Sequence, residues 1–202
     1  MKKESLFRAT AAALFVTGVS ISGYHRRKAD KEGGEEVSLR EEGLPTVIAL
    51  RGSGLAFALS LTSYVLNPRW MRWSSLELPS GIRWAGAGIG AATLPIHWWI
   101  FESIGKNITP TVETREKHEL VTNGPYRWVR HPLYTSGFTF FLSLSLVAAN
   151  WFMGLASLSA LLLILARLPK EEEKLIERFG DEYREYMKRT GALVPRLKAR
   201  DE

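Results

Sequence analysis

The chain predicts an all-α fold, a multi-span membrane helix bundle, and three observations carry that reading. Apolar blocks alternate with strongly charged ones, so a mean hydropathy of −0.08 is the average of a segregated pattern rather than of a mixed surface. Several apolar stretches approach the ~20 residues that a bilayer-crossing helix needs. The chain also holds seven tryptophans, a residue that favours the membrane–water boundary. Its 202 residues suit one membrane domain, 1–202. Three spans are expected within 1–101, and the polar clusters concentrate in 102–202.

The first span is expected from about Leu6 to Ser22, short and alanine-rich, with Lys2, Lys3 and Arg8 about its start. It has the flanks of a leader, but no small-residue cleavage site precedes a globular segment, so a retained span is expected. Residues 24–45 read as a charged, flexible linker, from His25-Arg26-Arg27-Lys28 to Glu41-Glu42, with the charge run solvated. The second span runs from about Thr46 to Leu66, where Arg51 can snorkel to the interface and Asn67-Pro68 stops the helix. The third runs from about Gly81 to Phe101. Its Gly86, Gly88 and Gly90 lack the preceding strand of a nucleotide-binding turn, so they predict close helix packing.

A polar loop follows from about Glu102 to His131. Apolar residues then run from Leu133 to Ala166 with a break near Ala149-Asn150-Trp151, too long for one span and enough for a tight helical hairpin of two. Pro132 suits the first turn, where its missing N–H has no partner to lose. Arg167 is expected to close the hairpin, and Pro169 to open a C-terminal amphipathic helix on the cytoplasmic side. That helix would carry Glu171, Glu172 and Glu173 in its first turn. Leu175, Phe179 and Tyr183 recur every four residues along it, and Gly180-Asp181 can interrupt it. About five spans result, with the termini on opposite sides. The 118–134 loop, the C-terminal tail and the Arg26-Arg27-Lys28 run then share one side, which the basic residues mark as cytoplasmic, against the contrary weight of Arg69, Arg72 and Arg83.

The net charge of +6 flanks apolar segments, so anionic lipid headgroups are the expected partners and nucleic acid is not. The absence of cysteine excludes disulfides, a thiolate nucleophile and zinc–thiolate sites. No second histidine stands at metal-ligand spacing from His118, so no metal site is expected.

Residues 118–134, HELVTNGPYRWVRHPLY, are polar, aromatic and basic between long apolar segments. Such a cluster suits a protein that grips a small charged molecule at the bilayer surface. Arg167 and Glu171 lie one turn apart at the end of an apolar helix, either as an anchoring ion pair or as receptors for a carboxylate and a cation. A guanidinium fork can hold a carboxylate by two hydrogen bonds. His131-Pro132 is either a capped corner or, with Arg130 and the N–H groups of the next helix, an anion site. Tyr126, Trp128 and Tyr134 could stack a base or face a cation.

Four strings taken together resemble a known family: His118-x-Leu120-Val121-Thr122-x-Gly124-x-Tyr126, Arg130-His131-Pro132-x-Tyr134, Arg167-x-x-x-Glu171-Glu172-x-x-Leu175, and Phe179-Gly180-x-Glu182-Tyr183-x-x-Tyr186. They are similar to those of the isoprenylcysteine carboxyl methyltransferases and the related phospholipid methyltransferases, in their short prokaryotic form. The likeness covers about the last 90 residues. It implies S-adenosylmethionine as cofactor, held by His118, Leu120, Val121, Tyr126, His131, Pro132, Leu133, Tyr134 and Glu171. Arg167 is the implied catalytic residue, facing the methyl acceptor. One departure bears on Tyr134: a glycine often follows it directly in the family, whereas Thr135 and Ser136 come before Gly137 here.

The resemblance implies an integral membrane methyltransferase that O-methylates a lipid-linked carboxylate such as a C-terminal isoprenylcysteine. A carboxylate needs an orienting cation and no base. A phospholipid amine, the alternative acceptor, needs a base, for which Glu172 or Glu173 could serve. A membrane reductase sharing this core should show His-Arg and Arg-Asp pairs within 165–173, and the chain has neither. A non-catalytic membrane protein with the same core is a further alternative, against which the retained Arg167 and Glu171 argue.

Overall fold

The structure is a computed structural model that describes residues 2–32, 44–107 and 119–196. The described residues form six α-helices: α1 Lys2–Glu32, α2 Leu44–Leu66, α3 Ser80–Ile104, α4 Pro132–Ala148, α5 Trp151–Phe179 and α6 Asp181–Arg189. Helices α1, α2 and α5 are each long and apolar enough to cross a membrane, while α4 is apolar but shorter, at 17 residues. The five-span expectation is therefore met in full length and hydropathy by three helices.

The first five helices alternate in direction, as their end contacts show. At one end Arg83, near the start of α3, bonds Glu4 of α1 at 2.8 and 3.1 Å, the Tyr64 hydroxyl of α2 at 2.8 Å and the Val147 carbonyl of α4 at 2.9 Å. Arg8 of α1 donates to the Val65 and Leu66 carbonyls at the end of α2. Arg83, counted with the loop charges in the sequence, is thus an internal tie between four helices. At the other end His25 of α1 stacks on Phe101 of α3, with ring centroids 5.5 Å apart. A core of Phe7, Ala11, Leu61, Phe140, Leu144, Val147 and Met153 lies between the two ends.

The hairpin turn falls where the sequence breaks. Ala149 takes a left-handed conformation, φ 49°, and the Asn150 side chain caps α5 by accepting from the Met153 N–H at 3.0 Å. Asn67 likewise caps the 3₁₀ turn that begins at Pro68.

Two expectations are corrected. Residues 24–32 are not a flexible linker, because α1 continues through them for 31 residues in all, with Ala29 and His25 buried; of the linker's remainder, 33–43 lie outside the described residues and Leu44 and Pro45 begin α2. Nor does Arg167 end one helix and Pro169 start another, since α5 runs unbroken from Trp151 to Phe179 with Pro169 inside it. A proline in a helix interior costs about 3 kcal/mol through the lost hydrogen bond and the crowded carbonyl. Here both flanks are pinned: Leu168 is buried, and Arg167 and Glu171 both reach Tyr134 of α4. The break comes later, at Gly180 with φ 58°. It splits the expected apolar face, leaving Leu175 on α5 and placing Tyr183 beside Tyr186 on α6.

The α3 glycines behave as packing residues at two of three positions. A Cβ on Gly86 would stand 2.8 Å from the Leu146 Cβ and 3.0 Å from the Ser143 carbonyl oxygen, and one on Gly90 would stand 2.7 Å from the Ser143 Oγ. Gly88 faces open space. Gly86→Val is therefore expected to destabilise the bundle by about 1–3 kcal/mol through forced separation of α3 and α4. Gly88→Val should be nearly neutral. Thermal unfolding in detergent separates the two, and equal melting of both variants would refute the packing role.

Candidate functional site

Three chain segments meet at the end of the bundle opposite Arg83. The His131-Pro132 corner starts α4 and supplies Tyr134 on its first turn. The polar half of α5 supplies Arg167, Glu171 and Glu172. The segment after α6 straps the corner down: the Arg130 and His131 N–H groups donate to the Gly191 and Ala192 carbonyls at 2.8 and 3.0 Å. The Thr135 hydroxyl donates to the Leu193 carbonyl at 2.7 Å.

Tyr134 sits at the centre. Its hydroxyl donates to Glu171 Oε2 at 2.7 Å and accepts from Arg167 Nη2 at 3.2 Å. Its ring stacks on His131 at 5.6 Å between centroids, 5° from parallel. His131 places Nδ1 3.6 Å from Glu171 and Nε2 3.2 Å from Glu172. Arg130 donates to Glu172 from Nε at 2.8 Å and Nη2 at 2.6 Å, and also to the Met187 and Thr190 carbonyls. The anion site offered for Arg130 is therefore not formed, because its guanidinium is turned onto Glu172 and the end of α6. Glu172 is equally committed and Glu173 is exposed, so neither is held ready as a base.

Tyr126 is buried in a 3₁₀ turn and its carbonyl accepts from the Tyr186 hydroxyl at 2.5 Å. Burial pushes the Tyr186 phenol up to about 12 and that of Tyr126 higher still, so both remain neutral hydroxyls. Before that turn, the Asn107 side chain brackets the Glu119 backbone, accepting from its N–H at 3.2 Å and donating to its carbonyl at 2.7 Å.

A cavity of 740 Å³ opens beside this cluster. Leu120, Val121, Tyr126, His131, Leu133, Tyr134, Glu171 and Arg167 all line it. Pro132 is buried at the start of α4 and helps form the corner, but does not line the cavity. His118 lies outside the described residues. Away from the polar end the walls become apolar, with Phe57, Leu94, Phe138, Phe141, Leu161 and Ile164. Gly137, the displaced glycine of the motif, also faces the cavity, and a Cβ there would touch nothing within 4 Å.

Sequence reasoning missed Arg26, which lines the same cavity from α1. In the sequence it falls within the charge run of residues 24–45. The signal was available as a helical spacing of Phe15, Gly18, Val19, Ser22, Gly23 and Arg26. The structural role of Arg130, 42 residues from Glu172, had no local signal.

An alternating helical bundle with a largely apolar cavity that carries a polar cluster at one end is the architecture of a membrane protein with room for an amphipathic or two-part ligand. The sequence model of the phospholipid methyltransferase family matches residues 82–182, half of the chain, and the chain belongs to that family. It is 32% identical over 135 residues to a protein-S-isoprenylcysteine O-methyltransferase of Dictyostelium discoideum, covering 62% of this chain and 55% of that protein. It is 35% identical over 97 residues to the protein of the same name from Homo sapiens, covering 46% of this chain and 34% of that one. The chain thus spans about half or less of the length of these curated relatives. Its fold is similar to the solved structure of a eukaryotic intramembrane Ras methyltransferase, an isoprenylcysteine carboxyl methyltransferase, with a TM-score of 0.55 and 20% identity, over 92% of this chain and 67% of that one. The protein is an integral membrane protein of that helical fold.

Proposed function

We propose that this protein is an S-adenosylmethionine-dependent methyltransferase that O-methylates a lipid-linked carboxylate, with a prenylated cysteine as the acceptor class. The observation that carries the reading is the Arg167–Tyr134–Glu171 chain on the wall of a cavity that is polar at one end and apolar beyond. The residues fit the cofactor. A 740 Å³ cavity lies inside the range of small-molecule sites, about 300–1,000 Å³. Glu171 offers a carboxylate to a cationic centre, and Tyr126, His131 and Tyr134 offer aromatic surface. Held there by Glu171 and the aromatic side chains, S-adenosylmethionine would supply an electrophilic methyl group to the acceptor oxygen and would leave as the neutral thioether.

The chain's own residues then have alignment and exclusion of water as their task. Arg167 holds the acceptor carboxylate, which carries no proton to remove. Tyr134, bonded to both Arg167 and Glu171, fixes the distance between acceptor and cofactor sites. His131 and Leu133 support the cofactor end, with Leu120 and Val121. Amine N-methylation of a phospholipid is favoured by the description of the matched family. It is opposed by the engagement of Glu172 with Arg130 and His131 and by the exposure of Glu173.

The cytoplasmic side is the proposed face, because Arg26, Arg27 and Lys28 lie at the site end of α1. Calorimetry on the detergent-purified protein should show S-adenosylmethionine binding that weakens on His131→Ala, since that change removes the ring stacked on Tyr134 and bonded to Glu172. Absence of binding by a folded sample overturns the reading. In sealed vesicles of fixed orientation, added donor should support turnover only when the α1 Arg26 end faces outward.

A further inference from the structure

Two stripes of helical spacing run along the cavity wall. On α1 the stripe is small or apolar from Phe15 through Gly23 and then reaches Arg26. On α5 it runs through Ala160, Leu161 and Ile164 to Arg167. Each wall therefore passes from apolar to cationic at the polar end. Arg26 Nε donates to the Ser22 Oγ at 3.2 Å, which sets the side chain back along the cavity side of its own helix. The Arg26 side chain lines the same cavity as the Tyr134 hydroxyl, at its polar end. Arg167 bonds that same hydroxyl at 3.2 Å. Two guanidiniums from helices far apart in sequence thus line the polar end of one cavity. Asp30, one turn beyond Arg26, contributes its field but does not line the cavity.

We propose that Arg26 is a specificity-determining residue: with Arg167 it forms a two-cation receptor for the acceptor carboxylate and repels an ammonium acceptor. This rests on the methyltransferase reading above and extends it to the choice between carboxylate and amine. A carboxylate facing two guanidiniums gains charge-assisted hydrogen bonds on both oxygens. An ammonium in the same place meets two like charges, one on the partly buried Arg167 and one on the exposed Arg26, whose share of the repulsion weakens with added salt. A solvated anchor at Arg26 would discriminate between neither.

The test uses the full-length protein in nanodiscs, S-adenosylmethionine with a labelled methyl group, and N-acetyl-S-farnesylcysteine as acceptor. Two inhibitors of the same prenyl length accompany it: the uncharged amide of the acceptor, and S-farnesylcysteamine, which carries an ammonium. Arg26→Gln is expected to raise KM for the carboxylate roughly 10-fold or more, with kcat changed far less. Affinity for the amide and for S-adenosylmethionine should stay put, and affinity for the ammonium inhibitor should rise. Arg26→Lys should restore part of the carboxylate KM, which a purely steric role would not do. A parallel loss of carboxylate and amide affinity assigns Arg26 to packing and overturns the proposal, as does an unchanged KM. If the unaltered protein binds S-adenosylmethionine but methylates only aminophospholipid, the carboxylate receptor is refuted together with the acceptor assignment. If it does not bind S-adenosylmethionine at all, the methyltransferase reading itself falls.

Discussion

Arg167→Lys is expected to keep its affinity for S-adenosylmethionine and to lose roughly 100-fold or more of turnover, about 3 kcal/mol of barrier. The arginine stands where α5 leaves its apolar stretch, a position at which a charge is costly without a partner or a task. Its Nη2 is oriented by the Tyr134 hydroxyl at 3.2 Å, and its side chain lines the cavity. Lysine keeps the charge but gives up the planar fork, so it cannot hold both a carboxylate and the tyrosine hydroxyl in one plane. Binding is read by calorimetry and turnover with a prenylcysteine acceptor, each measured separately. Normal turnover in the lysine variant would show that Arg167 only anchors the helix.

Glu171→Gln should do the reverse, weakening cofactor affinity roughly 10-fold or more, about 1.4 kcal/mol, before it affects the rate at saturating cofactor. Glutamine can still accept the 2.7 Å hydrogen bond from the Tyr134 hydroxyl, so the shape of the site is retained and the negative charge alone is removed. Tyr134→Phe is the complementary change: it deletes the bond and keeps the charge. If charge attraction holds the cofactor, Glu171→Gln should cost more affinity than Tyr134→Phe. The opposite order would make Glu171 a positioning group for the tyrosine, and the electrostatic role assigned to it would fall.

The departure from the family pattern after Tyr134 bears on both variants. Thr135 and Ser136 displace the glycine, yet Tyr134 still reaches Arg167 and Glu171. Thr135 is used instead to hold the C-terminal strap through the Leu193 carbonyl. The first turn of α4 is thereby fixed from outside, while the open side of Gly137 stays with the cavity.

The local elements were legible because each has a short-range cause. Asn67-Pro68 and Ala149-Asn150 stop helices through a cap and a turn within four residues. Two of the α3 glycines, Gly86 and Gly90, stand four residues apart on one helical face, and both meet Ser143 on the facing helix. Of the strings between Leu120 and Glu171, all described members except Thr122, Gly124 and Pro132 line one cavity.

What the tertiary structure alone decided was where equivalent-looking charges point. The spacing that puts Arg26 on one helical face does not say what that face meets, and Arg83 and Arg130 carry no local signal of their partners. In the fold one faces the cavity, one ties four helix ends together, and one is spent on Glu172. The same holds for Pro169, whose local preference is to end a helix and whose flanks are nonetheless held by Leu168, Arg167 and Glu171. Periodicity and turn chemistry act over a few residues and survive in any context. The direction of a long charged side chain, or the fate of a proline, depends on which helix packs alongside, and that is settled only when segments tens of residues apart are brought together.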